Sequence, residues 1–141
     1  MKARIRPVKP CALVWNYGTE QEGWNALSAA CEHADLALRC VNENEAGQTI
    51  GWLCGIPGAS EAATLQLVNK DAYPAALILN GLDRKQLDAF LDELRAGGVR
   101  IPLKAMVTAT NQNWTLVSLL QELIRERDAF AQQAKSRGEQ Q

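Results

Sequence analysis

Lys104, Thr108, Thr110, Asn111, Asn113 and Trp114 fall in one short stretch of this 141-residue chain. Together they offer an ammonium, two hydroxyls, two amides and an indole. The stretch leads into an apolar helical pattern, and free N–H groups at a helix start favour an anion. The chemistry suggested is the holding of a small polar or anionic ligand. Asn16 and Asn80 join the set because each closes an apolar run that reads as a strand. In open parallel sheets, ligands bind beyond the carboxyl ends of the strands. The same residues have plainer uses. Asparagine and threonine suit turns and helix caps, and a lysine in an edge strand discourages edge-to-edge pairing. Trp52 and Trp114 open the two helical patterns that follow the second and fourth strands. They either flank a groove or wedge each helix onto the sheet.

Other chemistry is hard to find. Cys11, Cys31, Cys40 and Cys54 are spaced too irregularly for a zinc or redox pair. Each lies in an apolar stretch and reads as a small buried hydrophobe. His33 is the sole histidine. It falls at the end of a predicted helix, where a cation suits the dipole. No phosphate loop, dinucleotide fingerprint, nucleophile elbow or metalloprotease string is present. No catalytic residue, metal site or cofactor is assigned.

The elements that must position the candidate residues come in a regular order. Ala12 to Trp15 reads as a strand. Thr19 and Glu22 then form a capping-box pattern ahead of a helix bearing Trp24, Leu27 and Cys31. Gly23 costs that helix about 1 kcal/mol. Leu36 to Val41 is a second strand and Thr49 to Leu53 a short helix. The second half repeats the order, with a strand at Ala75 to Leu79 and a capping box at Asp83 and Gln86. A helix stopped by Gly97 and Gly98 follows. A strand over Ile101 to Thr108 comes next, then a long helix that Asn113 caps. Ala12–Asn16 matches Ala76–Asn80 at an offset of 64, and Val41 matches Val107 at 66, as does Thr49–Ile50 with Thr115–Leu116. The fold class read from this is α/β. Duplicated βαβα units would form a mostly parallel four- to five-stranded sheet with helices on its faces. The domain layout is a basic leader over residues 1–10, one α/β domain over 11–131 with repeat halves 12–56 and 75–124, and a flexible tail over 132–141. Residues 57–74 join the halves, and Ser60 to Val68 reads equally as an extra helix or a fifth strand.

The run from Ile101 to Leu116 resembles a family of small, uncharacterised bacterial proteins known as a domain of unknown function. The pattern is Lys104-Ala105-x-Val107-Thr108-x-Thr110-Asn111-x-Asn113-Trp114-Thr115. Leu77 to Leu94 and Gln48-Thr49-Ile50-Gly51 look like the family too, so the resemblance spans most of residues 12–124. It implies a shared fold and brings no activity. A weaker likeness, over Tyr73 to Thr108, is to response-regulator receiver domains. Asn16 and Asn80 stand where a receiver needs carboxylates, so the likeness implies a module without a phosphoacceptor.

Composition narrows the classes that remain. Fifteen basic and sixteen acidic side chains give a net charge of −1, without the basic excess of a nucleic-acid binder. No apolar run reaches the ~20 residues of a membrane span, and no signal-peptide stretch follows the basic start. The chain therefore reads as cytoplasmic, with reduced thiols. The leading functional expectation is a non-enzymatic module that binds a small ligand or a partner protein. The amphipathic last helix suits a homodimer. The alternatives are an enzyme acting on a small polar or phosphorylated metabolite through Lys104 and the Thr108–Asn113 loop, and a receiver-like signalling module.

Overall fold

The computed structural model describes residues 10–63 and 66–139. The basic leader, apart from Pro10, lies outside the described residues. The strands are β1 (Cys11–Trp15), β2 (Ala37–Val41), β3 (Ala76–Asn80) and β4 (Leu103–Met106). The helices are α1 (Trp24–His33), α2 (Ile50–Leu53), α3 (Arg84–Ala96) and α4 (Leu116–Glu139). One four-stranded sheet has the order β2-β1-β3-β4.

The sheet is mixed, which corrects the mostly parallel expectation. β1 pairs parallel with β2, and β3 pairs parallel with β4, as a crossover helix requires. Between β1 and β3 the direction reverses, with Leu13 opposite Ile78 and Cys11 opposite Asn80. No crossover helix dictates that central pairing. The long connection over 57–74 leaves the second unit free to enter in either direction. The connection holds no strand or α-helix among its described residues, only a 3-10 turn at Lys70–Ala72. There is thus no fifth strand among the described residues. Receiver domains have wholly parallel sheets of the doubly wound type. The reversal at β3 therefore removes the receiver likeness as a reading of the fold.

Strand residues alternate between two apolar cores. Leu13, Trp15, Ala76 and Ile78 face α2 and α4, whose Ile50, Leu53, Leu116 and Leu120 are buried there. Ala12, Val14, Leu77 and Leu79 face α1 and α3, meeting Leu27, Cys31, Phe90 and Leu94. The result is a sheet between two helical layers. Cys11, Cys31 and Cys54 are buried, as small hydrophobes should be, whereas Cys40 is exposed on the edge strand β2.

Helix ends follow the sequence in part. Asp83 and Gln86 make both bonds of the capping box on α3. Thr19 and Glu22 make none, because α1 begins later, at Trp24, with Gly23 as its N-cap. A side chain at Gly23 would crowd Val99 and the Tyr17 hydroxyl, so tertiary packing sets this helix start. Both α1 and α3 close with a left-handed residue, Asp35 (φ 54°) and Gly98 (φ 74°). The following amide then reaches back, from Leu36 to the Cys31 carbonyl at 2.7 Å and from Val99 to the Leu94 carbonyl at 2.9 Å. α4 starts at Leu116, with Thr115 rather than Asn113 accepting from the Ser118 amide. It continues through Glu139. Residues 132–139 of the expected tail are therefore helical, and 140–141 lie outside the described residues.

Candidate functional site

Reversal of the sheet splits the expected site. β1 and β2 end on one edge, and β3 and β4 on the opposite one. Asn16 and Asn80 therefore stand at opposite ends of the sheet, a strand length of roughly 16 Å apart at 3.3 Å per residue. Each edge must be considered by itself.

At the β3–β4 edge the asparagines and threonines satisfy one another. The Thr108 amide donates to Asn111 Oδ1 at 2.8 Å, and the Asn111 amide donates to Thr108 Oγ1 at 3.0 Å. Asn111 Nδ2 donates to the Met106 carbonyl at 2.9 Å. Asn111 is buried, and this small network fixes the turn that carries the chain from β4 to α4. Thr110 is exposed beside it. Asn113 and Trp114 line a wide, open surface cavity of about 520 Å³ with Thr115, Gln121, Glu122 and Arg125. Glu122 and Arg125 already pair with each other there at 2.8 Å. Trp114 is half-buried against the core under α4, while Trp52 is 45% exposed.

Lys104 does not join this loop. Its ammonium donates to the Ile101 carbonyl at 2.8 Å. It borders Leu91, Leu94 and Arg95 on the α3 side of the sheet. The 3-10 turn at Asn111–Asn113 packs against α2, on the other side.

The β1–β2 edge is different. β1 leads to α1 on one face and β2 leads to α2 on the other. Adjacent connections that leave a sheet in opposite directions open a crevice between them. A cavity of about 220 Å³ lies there, bordered by Trp15, Asn16, Tyr17, Glu20, Cys40, Asn42, Glu43 and Lys70. Asn16 leaves β1 in the left-handed region (φ 56°), which asparagine tolerates better than most residues. Its Nδ2 donates to the Tyr73 carbonyl at 3.2 Å. Asn42 Oδ1 accepts from the Asn44 amide at 3.0 Å, making an Asx turn. Glu43 holds the 57–74 connection against the crevice. Its carbonyl accepts from the Val68 amide at 3.0 Å and its carboxylate from the Lys70 amide at 2.8 Å.

The electrostatics do not activate the crevice thiol. Burial, then the charge of Glu20, pushes the Cys40 thiol above its ordinary value. A nucleophilic thiol needs the opposite shift. Burial also raises the Tyr17 phenol, against a hydrogen bond with the Gly23 backbone. Just outside, Arg39 donates to Glu45 at 2.5 Å and to the Leu53 carbonyl at 3.2 Å, closing the base of the β2–α2 turn. Among the described residues, no group of three or more His, Cys, Asp or Glu is placed to hold a metal ion. No helix there is long and apolar enough to cross a membrane. His33 pairs with Glu93 at 2.8 Å, joining α1 to α3 far from the crevice chemistry.

Part of this crevice is legible in the sequence, since Asn16 closes an apolar run that reads as a strand and Asn42 directly follows the strand read over Leu36 to Val41. Glu20, Cys40, Glu43 and Lys70 are not. Lys70 belongs to a connection without periodicity, and Cys40 carried no sign of facing solvent.

Neither a curated protein nor a solved structure matches the chain. The resemblance read from the sequence reached back to residue 12. The family match starts later and takes in β3, α3, β4 and the first part of α4: residues 75–130 match the family described as Domain of unknown function (DUF3783).

Proposed function

We propose that this chain is a binding module, and that its ligand is a small polar molecule seated at the carboxyl ends of β1 and β2. The observation that carries this reading is the crevice itself. It forms where the β1–α1 and β2–α2 connections part, and amide, thiol and charged side chains border it. At about 220 Å³ it is smaller than the ~300–1,000 Å³ typical of drug-sized ligands. The catalytic alternative is less well supported. It needs Lys104 to act with the Thr108–Asn113 loop, and the two are on different faces of the sheet.

The two halves are, in this reading, diverged repeats. Several features support the idea. The left-handed residues Asn16 and Asp35 have counterparts in Gly81 and Gly98, which sets β1 against β3 at an offset of 65 and replaces the 64 of the sequence match. The Ala37 amide bonds the Pro10 carbonyl as Leu103 bonds Ala75. The family match also coincides with the second βαβα unit. Divergence then explains why one edge is open and the other closed. Where the first unit has Tyr17, Cys40 and Glu45, the second has Leu82, Met106 and the buried Asn111.

A thermal-shift screen of the full chain against amino acids, sugars, nucleotides and sugar phosphates tests the binding reading. A ligand at 100 times its Kd adds about 2.7 kcal/mol, several degrees for a domain of this size. The expected result is a stabilising ligand whose effect disappears in Cys40→Phe. That substitution fills the crevice from an exposed position. A ligand shift that survives Cys40→Phe would place binding elsewhere and overturn the assignment.

A further inference from the structure

We infer that the outer edge of β2 pairs antiparallel with β2 of a second copy of this chain, in a register centred on Arg39. The sheet has two outer strands, β2 and β4, and only β4 is blunted. Pro102 directly precedes β4 and Lys104 is exposed within it, two ordinary guards against edge pairing. The Met106 carbonyl, at an outward position, already accepts from Asn111 Nδ2. β2 has none of these guards, and Ala37, Arg39 and Cys40 are exposed along it. The Ala37 amide donates inward, to the Pro10 carbonyl. Parallel pairing alternates, so Ala37, Arg39 and Val41 bond β1 while the amides and carbonyls of Leu38 and Cys40 point outward. Among the described residues those four groups have no partner.

What bounds the free stretch points to the occupant. At the next outward position on one side, the Leu36 amide is spent on the Cys31 carbonyl. On the other side, Asn42 spends its amide on the Glu45 carboxylate and its carbonyl on the Glu45 amide. Two donors and two acceptors thus stand symmetrically about Arg39. A second copy, turned about a twofold axis through Arg39, presents the same four in reverse order. Leu38 of each copy then exchanges both bonds with Cys40 of the other, and every free group on both edges is used. Sliding one chain by two residues sets Leu38 or Cys40 against a spent Leu36 or Asn42. The side chains agree with the centred register. On the α1 face, half-buried Leu38 lies beside Cys40 of the other copy, so the second chain rests against one wall of the crevice. On the α2 face, Arg39 stands opposite Arg39. Like charges so placed repel, but each guanidinium is turned onto its own Glu45. Four main-chain bonds and two Leu–Cys contacts make a small interface of the weak, transient class. The inference does not rest on the binding reading.

The test is amide hydrogen exchange of the full chain, read by NMR from roughly 10 µM to 1 mM protein, beside sedimentation equilibrium for the mass. The mass is expected to double with concentration. The Leu38 and Cys40 amides should slow at least ten-fold with it, while the Arg39 amide, already bonded to β1, changes little. A mass that stays that of one chain overturns the inference. Protection of the two amides at that constant mass would mean that a segment of the same chain covers the edge. A dimer in which both amides exchange at an unchanged rate also overturns it and puts the interface elsewhere, as on α4. Cross-linking reads the register. Arg39→Cys under mild oxidation with diamide should link two chains through position 39, where a non-hydrogen-bonded pair sets the Cα atoms about 4.5 Å apart. Cys40 of the wild type should not link to its copy, because this register separates those Cα atoms by roughly 8 Å, beyond disulfide reach. Linkage through Cys40 and none through Arg39→Cys would overturn the register. Cys40→Lys gives β2 the guard that β4 carries and should leave the chain monomeric across the range; a dimer that persists in it would overturn the inference.

Discussion

Thr49 and Thr115 lie opposite one another in an antiparallel bridge between the starts of α2 and α4. The Ile50 amide donates to the Trp114 carbonyl at 2.9 Å, and the Leu116 amide donates to the Gln48 carbonyl at 3.0 Å. Each threonine also caps its own helix, accepting from Trp52 and Ser118 respectively, both at 3.2 Å. The bridge joins the two halves of the chain on one face of the sheet, as the β1–β3 pairing joins them within it. Thr49 has a further role, because its hydroxyl donates to the Ser60 carbonyl at 2.6 Å and ties down the 57–74 connection.

Losing either cap should therefore destabilise, but unequally. Thr115→Ala removes one exposed cap and is expected to cost about 1 kcal/mol. Thr49→Ala removes a buried cap and leaves the Ser60 carbonyl without its donor, for a cost of about 2–3 kcal/mol. Urea unfolding of both variants measures this. Equal losses would mean that the Ser60 bond contributes nothing.

Glu45 gives the fold a dependence on acid. Burial alone would raise its carboxyl, but the hydrogen bonds from Arg39 and the Asn42 amide and the charge of Arg39 hold it below its ordinary value. A carboxyl lowered on folding contributes stability above the unfolded pKa, near 4.3. That contribution is lost as pH falls through the lower folded value. Glu45→Gln should therefore flatten the decline in the urea midpoint below about pH 4.5 and lower the midpoint at pH 7. The comparison is a pair of urea titrations from pH 7 to pH 3. Parallel curves for the two proteins would remove Glu45 from the account.

The two capping boxes show how far the sequence could be trusted. Asp83/Gln86 and Thr19/Glu22 satisfy the same local rule, yet only the first forms. α3 starts directly after the turn at Gly81, so local chemistry decides. α1 starts only once Tyr17 and Gly23 have packed against each other and Val99, and no local pattern encodes that distance. Strand direction was hidden for a related reason. A βαβ crossover makes its own two strands parallel, but nothing in either unit states how the second meets the first. That choice broke the expected site apart, since it carried Asn80 and Thr108 to the edge away from Asn16.

Lys104 and Asn111 make a sharper contrast. Lys104 sits in the edge strand β4 and spends its ammonium on one nearby carbonyl. Lys104→Met should change stability by less than about 0.5 kcal/mol while raising the tendency to associate through the edge. Asn111→Ala removes a buried side chain and leaves the Thr108 amide and the Met106 carbonyl without it at a part-buried turn, at about 1–3 kcal/mol. Urea titration, with light scattering for association, distinguishes the two. A large stability loss for Lys104→Met together with a small one for Asn111→Ala would reverse both assignments.

The four cysteines should separate by reactivity. Cys40 is exposed and the other three are buried. Burial, with the charge of Glu93, pushes the Cys31 thiol to about 11. Cys54 is raised first by its hydrogen bond with Cys11 and then by burial. Iodoacetamide at pH 8, read by peptide mass mapping, should label Cys40 first and the rest only on unfolding. The Cys40 thiol is itself raised, by burial and then by Glu20. Glu20→Gln removes the second cause, so more thiolate is present at pH 8 and labelling should accelerate. An unchanged rate would mean that Glu20 does not face the thiol across the crevice. Labelling of Cys11 or Cys31 as fast as Cys40 would mean that the sheet opens on the same timescale, because neither sulfur can be reached while β1 and α1 hold their places.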